Sequence, residues 1–188
     1  MLILASASPR RQELLRNAGF AFCVRASDIP ETPLNGETPR DCAVRLAREK
    51  ALAVAKGFPN DIVLGADTIV VIDGAMLGKP DNEADAARML RALSGRTHEV
   101  ITGVCVVAAT NGGERELRTA SETTAVTMKK FSEQEIADYV ATGEPMDKAG
   151  GYAIQGKASR WIPRIEGDYS NVVGLPLALV SQMLQEFM

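Results

Sequence analysis

The chain has 188 residues, 46% of them hydrophobic and 24% charged, a size and composition typical of a chain that folds around a packed core. Its 21 Lys and Arg residues against 24 Asp and Glu residues give a net charge of -3, which provides no overall positive field to attract a nucleic acid. The apolar run at residues 1–5 is too short for a membrane span or a signal-peptide core, so we expect a cytoplasmic protein without a membrane partner.

Cysteine and histidine are sparse in this sequence. Cys23, Cys42 and Cys105 are widely spaced and form no Cys-x-x-Cys pair, which favours reduced, mostly buried thiols. His98 is the only histidine, so the sequence offers no histidine-rich metal site and no two-histidine mechanism. A structural role for His98 is favoured over a direct function.

Strand and helix patterns alternate through the first half of the chain. Helix starts are marked by a capping residue followed by proline or an acid, and helix ends are marked by glycine. The predicted elements are a strand at 1–5, a helix from Ser8 to Gly19, a strand at 20–25, an irregular polar loop at 27–37, a helix from Thr38 to about Lys56, and a strand at 62–72 that is broken at 67–68 and followed by a turn at 73–74.

The second half of the chain continues with long strands and short helices. The predicted elements are a helix at about 82–93, a strand at 100–109, a turn at 111–112, a strand within 117–128, a short helix that opens at 132 and stops before 143, and a last helix at 176–187.

Turn signals decide the type of sheet. Asp73-Gly74, Asn111-Gly112 and Glu166-Gly167-Asp168 each indicate a hairpin, and hairpins require antiparallel neighbours. No repeat, low-complexity segment or shift in composition marks a linker. We therefore predict an α/β (mixed α+β) fold, a single domain over residues 1–188 with a mixed, partly antiparallel sheet flanked by helices.

The segment from Ser6 to Arg11 is the first candidate for phosphate binding. Two hydroxyls, the amides of a helix N-terminus and the guanidiniums of Arg10 and Arg11 follow a strand here. Helix amides carry partial positive charge, and arginine can bind phosphate through two parallel hydrogen bonds, so the segment suits a triphosphate. A capped helix with solvated arginines is the alternative interpretation of this segment alone.

Asp67 is the second candidate, because it interrupts an otherwise apolar strand and is followed by the hydroxyl of Thr68. Burial of an isolated carboxylate is costly, so a partner, a metal or a reacting water must compensate its charge. Each of these options makes Asp67 a candidate for chemistry. A structural Asx-turn is the alternative.

Further cations and loops complete the candidates. Lys50 lies near the end of a long helix and Lys79 follows a predicted hairpin, and either alone is typical of a solvated lysine. Glu31 lies in the irregular loop. Lys148 and Gln155 lie in glycine-containing segments that allow a ligand to approach the backbone, with a hinge or a tight strand turn as the alternative.

Several segments occur in combination in this chain, namely Leu4–Arg11, Arg45–Ala51, Gly65–Thr68, Gly78–Pro80 and Asp147–Gly150. Together they resemble the Maf family of nucleoside triphosphate pyrophosphatases over essentially the whole chain. The resemblance implies a Maf/ITPase-like fold and hydrolysis of a nucleoside triphosphate to the monophosphate and pyrophosphate. The segment Asp147–Gly150, followed by residues 154–156, resembles the branch that acts on dTTP and UTP rather than the branch that acts on 7-methyl-GTP. This resemblance implies a house-cleaning role, with modified pyrimidine nucleotides as further candidate substrates.

The resemblance also implies roles for individual residues. Asp67 is implied to be the proton acceptor that activates water, and Asp67 and Glu31 are implied to bind the metal. Neighbouring Asp28 and Glu37 are alternatives to Glu31, because the loop has no sharp motif. The implied phosphate-binding residues are Ser8, Arg10, Arg11, Lys50 and Lys79, and the implied residues for base choice are Arg10, Thr68 and Gln155.

General chemistry agrees with these implied roles. Cleavage between the α- and β-phosphates develops charge that cations stabilise, while a carboxylate deprotonates water. Oxygen ligands from carboxylates and phosphates suit Mg2+ or Mn2+ as the divalent cofactor. The substrate is then the partner, and a homodimer is among the assemblies that the sequence allows.

The alternative function is a non-catalytic nucleotide-binding regulator of septum formation or cell division, since Maf relatives are linked to septum formation and division arrest. Asp67 beside a full set of phosphate-binding residues favours the enzyme, because a pure binder needs no base. Nucleic-acid binding is disfavoured by the negative net charge and by the lack of an interleaved basic and aromatic stripe.

Overall fold

A computed structural model of the protein describes residues 1–109 and 114–187. Its strands are β1 (Leu2–Leu4), β2 (Phe22–Val24), β3 (Ile62–Ile72), β4 (Ala75–Leu77), β5 (Thr97–Ala109), β6 (Arg115–Thr127) and β7 (Arg164–Glu166). Its α-helices are α1 (Pro9–Asn17), α2 (Pro39–Ala55), α3 (Glu83–Leu93), α4 (Glu133–Val140), α5 (Tyr169–Val173) and α6 (Leu177–Gln185). Short 3-10 turns occupy Glu144–Asp147, Ala149–Gly151 and Lys157–Trp161.

The strands form a mixed sheet in the order β2-β1-β3-β5-β6-β7, with β4 paired to β3. β1 is parallel to both β2 and β3, whereas the β3–β4 and β6–β7 pairs are antiparallel. The predicted fold class, an α/β fold with a mixed, partly antiparallel sheet flanked by helices, is confirmed. None of the helices within the described residues is long and apolar enough to cross a membrane.

The chain divides into two compact units whose boundaries fall within β3, β5 and β6 and directly after α5. The first unit comprises Met1–Thr68, Thr102–Glu122 and Gly174–Met188, and the second comprises Ile69–Ile101 and Thr123–Val173. A single domain over residues 1–188 therefore stays a prediction.

In the first unit the two faces of the strands carry two separate cores. Successive side chains alternate across a strand, so Leu4 and Leu64 face α1 and α6, whereas Ile3 and Val63 face α2. The first core includes Leu4, Leu15, Leu64, Val104, Val180 and Leu184, and the second includes Ile3, Ala47, Ala51, Val63 and Cys105. The unit is therefore a three-layer arrangement of helices on both faces of the strands.

Two glycines allow α2 to approach the strands closely. A Cβ at Gly65 would lie 2.3 Å from the carbonyl oxygen of Ala47, and a Cβ at Gly103 would lie 2.3 Å from that of Ala43. These obstructing atoms belong to the helix backbone, which cannot rotate away. Gly65 and Gly103 therefore set the distance at which α2 presents its side chains to the strands.

Replacement of Gly65 by alanine should destabilise the protein by about 1–3 kcal/mol, because the new methyl group overlaps the backbone of α2. Gly57→Ala is the matched control, since its Cβ would meet nothing closer than a carbonyl oxygen at 3.8 Å. Urea unfolding of both variants measures the difference. Equal unfolding midpoints for the two variants would contradict the close approach of α2.

The second unit has its own core, which includes residues of α3 and α4 and an aromatic cluster. The Trp161 ring stacks on Phe131 with centroids 4.4 Å apart and meets the edge of Tyr139 at 5.2 Å. His98 is 2% exposed, and its Nε2 lies 2.6 Å from the hydroxyl of Tyr152. Burial lowers the His98 pKa to about 4, so the ring is neutral at pH 7. These observations support the structural role favoured for this histidine.

The stability of the protein should fall in acid in a way that depends on His98. The imidazole takes up a proton near its ordinary pKa of 6.5 in the unfolded chain but only near 4 in the fold, so acidification favours unfolding. The loss begins below pH 6.5, continues to about pH 4 and amounts to roughly 3 kcal/mol.

The matched variant is His98→Gln, which keeps a polar partner for Tyr152 but does not titrate. Its free energy of unfolding should fall less steeply than that of the parent between pH 6.5 and pH 4.5. Parallel pH dependences for the two proteins, measured by chemical denaturation, would show that His98 does not bind its proton differently in the two states.

Most of the predicted elements are confirmed. Helices begin one residue after Ser8, Thr38, Asn82 and Ser132, and the Asp73-Gly74 turn joins the antiparallel pair β3 and β4. The cysteines are free, and Cys42 and Cys105 are buried while Cys23 is half-buried, as expected for mostly buried thiols. The predicted turn at Asn111-Gly112 lies outside the described residues.

The predicted break in the strand at Asp67-Thr68 is wrong. β3 runs without interruption from Ile62 to Ile72, and Asp67 lies inside it. The strand can continue because a charged side chain leaves the backbone ladder intact when a cation compensates it, which here is Lys50. An Asx-turn at Asp67 is excluded for the same reason.

The predicted hairpin at Glu166-Gly167-Asp168 is also wrong. β7 ends at Glu166, and the next element is α5 rather than a returning strand. Oδ1 of Asp168 accepts hydrogen bonds from the backbone N of Ser170 at 2.7 Å and from its Oγ at 2.6 Å. Asp168 therefore stabilises the start of a helix. The local sequence around a Gly-Asp pair does not distinguish such a helix start from a hairpin turn.

Candidate active site

Asp67 and Thr68 occupy consecutive positions on β3 in the first unit, so their side chains point to opposite faces of the strand. Asp67 shares the face of Gly65 and meets α2. Thr68 points to the other face and meets Arg11 of α1. One strand therefore supplies two polar clusters, one on each face.

The first cluster is a lysine held between two carboxylates. Nζ of Lys50 lies 2.6 Å from Oδ1 of Asp67 and 2.6 Å from Oε1 of Glu31. The side chains of Lys50 and Asp67 are 8% and 9% exposed, whereas that of Glu31 is 43% exposed. The ammonium thus joins a buried acid to one that solvent can reach.

The environment of Asp67 makes it a stronger base than an exposed aspartate. Burial raises the pKa of its carboxyl, while the positive charges of Lys50 and Arg11 lower it and Glu31 raises it. The net direction is upward because desolvation is the largest of these effects. A carboxylate whose pKa is shifted toward neutrality suits general base catalysis.

The second cluster is organised by Arg11, which is 9% exposed. Its Nε donates to the carbonyl oxygen of Gly174 at 2.8 Å, Nη1 to Oγ of Ser6 at 3.2 Å, and Nη2 to Oγ1 of Thr68 at 3.0 Å. Burial lowers the pKa of Arg11, although a guanidinium keeps its charge at physiological pH. Among the described residues these bonds use three of the five N–H groups of the arginine, so its other two N–H groups could donate to an anion.

Thr68 is enclosed in the same network. Its hydroxyl accepts from Arg11, lies 2.9 Å from Oγ1 of Thr102 and can donate to the carbonyl oxygen of Gly174 at 3.4 Å. Ser6 belongs to the predicted phosphate-binding segment, whereas Thr102 and Gly174 were not predicted from the sequence. Thr102 offered a signal, since it is a hydroxyl residue within the otherwise apolar run of residues 100–109, and the structure shows that it is fully buried.

Ser8 and Arg10 lie at the start of α1. Ser8 occupies the N-cap position, but its side chain makes no capping hydrogen bond, and its backbone N donates to Oγ of Ser6 at 3.3 Å. Arg10 is half-buried, and its charge is close enough to lower the pKa of Arg11. The predicted capping role of the Ser8 hydroxyl is therefore wrong, which leaves that hydroxyl unused by the helix.

Glu31, rather than Asp28 or Glu37, is the loop acid that the structure brings to Lys50. Glu37 accepts hydrogen bonds from Nε and Nη2 of Arg45 at 2.6 and 2.9 Å, and these bonds lower its pKa to about 2. Asp28 is exposed. Glu37 is committed to anchoring the loop on α2 and is poorly placed to act as a ligand.

The remaining predicted site residues belong to the second unit. Lys79 is exposed just after β4, and Gln155 is exposed between two 3-10 turns. The backbone N of Gly150 donates to the carbonyl oxygen of Gly78 at 3.0 Å, which ties the neighbour of Lys79 to the segment before Gln155. Nζ of Lys148 donates to the carbonyl oxygen of Glu144 at 2.7 Å, so that lysine stabilises its own turn.

Asp67 and Glu31 are the residues that could hold a divalent cation. Within residues 1–109 and 114–187, no three His, Cys, Asp or Glu side chains form a ready-made metal cluster. Two carboxylates nevertheless fit Mg2+ or Mn2+, because such ions retain water and take further oxygen ligands from substrate phosphates. The ammonium of Lys50 lies between these carboxylates and would have to yield its place.

Comparison with known proteins identifies the family. A family model described as Maf-like protein matches residues 1–187. This chain belongs to the Maf family. The predicted family resemblance is thereby confirmed over almost the whole sequence.

Curated Maf relatives are similar to this chain over nearly their full lengths. The dTTP/UTP pyrophosphatase of Koribacter versatilis is 59% identical over 184 residues, covering 98% of this chain and 93% of the relative. Relatives of the same name from Geobacter sulfurreducens and Symbiobacterium thermophilum are 55% and 53% identical, covering 98% and 99% of this chain and 95% and 93% of the relatives.

Proposed function

We propose that this protein is a nucleoside triphosphate pyrophosphatase that hydrolyses dTTP and UTP to the monophosphate and pyrophosphate. The observation that carries the proposal is the buried Asp67, whose charge is compensated by Lys50 and which lies on the same strand as the threonine that holds Arg11. The names of the curated Maf relatives support both the reaction and the choice of pyrimidine nucleotides.

Asp67 acts as the general base in the proposed reaction. Its carboxylate accepts a proton from a water molecule, whose oxygen forms a bond to the α-phosphorus of the nucleotide. The bond between the α-phosphorus and the bridging oxygen of the β-phosphate breaks, and pyrophosphate leaves with the electron pair. The burial that raises the pKa of Asp67 favours this proton transfer.

Cationic and hydroxyl groups bind the phosphates and stabilise the charge that develops on their oxygens. Arg11 is held rigidly by three hydrogen bonds, so little order is lost when its remaining N–H groups meet an anion. Lys50 can transfer part of its bonding from the carboxylates to a phosphate oxygen. The proposed phosphate-binding residues are Ser8, Arg10, Arg11, Lys50 and Lys79.

A divalent cation, Mg2+ or Mn2+, is part of this proposal. When bound it neutralises phosphate charge and helps to orient the triphosphate. Asp67 and Glu31 would hold it, and Glu31 has the advantage of solvent access. Nζ of Lys50 contacts both of these carboxylates.

Base choice is assigned to Arg10, Thr68 and Gln155. The amide of Gln155 is exposed and offers both a donor and an acceptor, which suits the edge of a pyrimidine. The hydroxyl of Thr68 is already engaged with Arg11, Thr102 and Gly174, so its contribution runs through the position of Arg11.

None of the relatives named above supports the alternative function, a non-catalytic regulator of cell division. A cytoplasmic location, a house-cleaning role, the homodimer and the absence of nucleic-acid and membrane partners stay predictions from the sequence.

The purified protein should release pyrophosphate and a nucleoside monophosphate from dTTP and UTP, with lower specificity constants for ATP and GTP. Turnover should require added Mg2+ or Mn2+ and stop when EDTA is added, because without a cation the carboxylates of Asp67 and Glu31 would repel the negatively charged triphosphate. Product analysis by ion-exchange chromatography checks this directly. Orthophosphate as the first product would rule out the proposed reaction.

Asp67→Asn should lower kcat on the order of a hundred- to ten-thousand-fold, since the amide keeps the shape of the side chain but cannot accept the proton. Nucleotide affinity measured by calorimetry should largely survive through the arginines and lysines. Asp28→Asn is the control, because it removes an exposed acid of the neighbouring loop and should leave turnover near the parental value. Parental turnover in a folded Asp67→Asn variant would assign Asp67 a structural role.

A further inference from the structure

The segment that carries Gln155 is fastened to the core of the second unit on both sides of that residue. Before it, the hydroxyl of Tyr152 lies 2.6 Å from Nε2 of His98, and the backbone N of Ala153 donates to the hydroxyl of Tyr139 at 3.4 Å. The backbone N of Gly156 donates to the carbonyl oxygen of Ala153 at 3.1 Å and closes the turn. An exposed side chain is thus presented from a turn whose backbone is fixed.

Glu144 joins the two sides of this turn. Its Oε1 accepts a hydrogen bond from the hydroxyl of Tyr139 at 2.9 Å and another from the backbone N of Lys157 at 3.1 Å. The hydroxyl of Tyr139 also accepts the hydrogen bond from the backbone N of Ala153. A single carboxylate oxygen therefore links the chain before Gln155, through Tyr139, to the chain after it.

The charge of Glu144 strengthens this link. Hydrogen bonds to a carboxylate are roughly twice as strong as those between neutral groups. Burial raises the pKa of Tyr139, and the neighbouring carboxylate of Glu144 raises it further, so the hydroxyl keeps its proton and remains a donor. Tyr139 itself is 1% exposed and packs against Trp161, which anchors the carboxylate to a rigid aromatic cluster.

Gly156 is independent evidence that the carboxylate of Glu144 packs directly against this turn. A Cβ at this position would lie 1.9 Å from Oε1 of Glu144 and 2.6 Å from its Cδ. The backbone there has φ -97°, which does not demand glycine. The absence of a side chain at Gly156 therefore makes room for the carboxylate of Glu144.

We propose that Glu144 is a positioning residue for base choice, which holds the turn so that the amide of Gln155 meets a pyrimidine in the correct orientation. The inference rests on the proposed function, because it needs a nucleotide whose base is read by Gln155. Glu144 acts through Gln155 and takes no part in the proton transfer assigned to Asp67.

The test compares the specificity constants, kcat/KM, for UTP and ATP in the parent, Glu144→Ala and Glu144→Gln. Loss of the carboxylate in Glu144→Ala should lower the UTP-to-ATP ratio about tenfold, mainly through a higher KM for UTP, with kcat at saturating UTP changed less than about twofold. Glu144→Gln keeps an oxygen that can accept both bonds, but it loses the charge and places an amide donor where Oε2 lies 3.4 Å from the backbone N of Lys157, so its ratio should fall about threefold.

Two further variants separate positioning from general stability. Asp138→Ala removes an acid from the same helix as Tyr139 and should leave the ratio unchanged. Gly156→Ala displaces the carboxylate without deleting it and should lower the ratio in the same direction as Glu144→Ala. A variant that merely reduced the folded fraction would lower turnover of UTP and ATP equally.

The outcomes are distinct from those that test the reaction itself. A parental UTP-to-ATP ratio in folded Glu144→Gln or Glu144→Ala would overturn the role of Glu144 while the proposed reaction stands. Absence of a pyrimidine preference in the parent would overturn both base choice by Gln155 and its positioning by Glu144. Absence of pyrophosphate release from any nucleotide would overturn the proposed function.

Discussion

The first unit depends on the ion pair between Asp67 and Lys50. A carboxylate inside a central strand would cost several kcal/mol if it were left without a partner, and the ammonium 2.6 Å away provides the compensation. The pair forms where α2 lies close to β3, an approach that the lack of a side chain at Gly65 permits. The ion pair, the packing of α2 on β3 and the glycine at position 65 therefore depend on one another.

The alternation of side chains along β3 connects this pair to the cluster around Arg11. Asp67 faces α2, and Thr68 holds Arg11 on the opposite face, so the proposed base and the arginine are fixed by adjacent residues of one rigid strand. Preorganisation of this kind lowers the cost of assembling a reactive geometry when substrate binds. Glu31 adds a carboxylate from a loop, where solvent access allows an ion to enter.

Local signals in the sequence predicted much of the fold, because caps and tight turns act over a few residues. The capping box at Ser132 and the Asp73-Gly74 turn are examples. The contacts within the site were harder to predict, because Lys50 and Asp67 are 17 residues apart in the sequence and meet only when the fold has formed. The sequence shows that Asp67 is a carboxylate within an apolar run, but it does not show that Lys50 compensates the charge. Without that partner, a break in the strand was predicted where the strand in fact continues. Thr102 was missed because its bond to Thr68 depends on which strands are neighbours.

The most direct test of the ion pair is the pKa of the Asp67 carboxyl, measured by 13C NMR titration in the parent and in Lys50→Met. Burial raises this pKa while Lys50 is the largest opposing influence, so removal of the ammonium should raise it further. We expect an Asp67 signal that titrates at distinctly higher pH in the variant than in the parent. An unchanged or lower pKa in Lys50→Met would contradict the dependence of the Asp67 charge on Lys50.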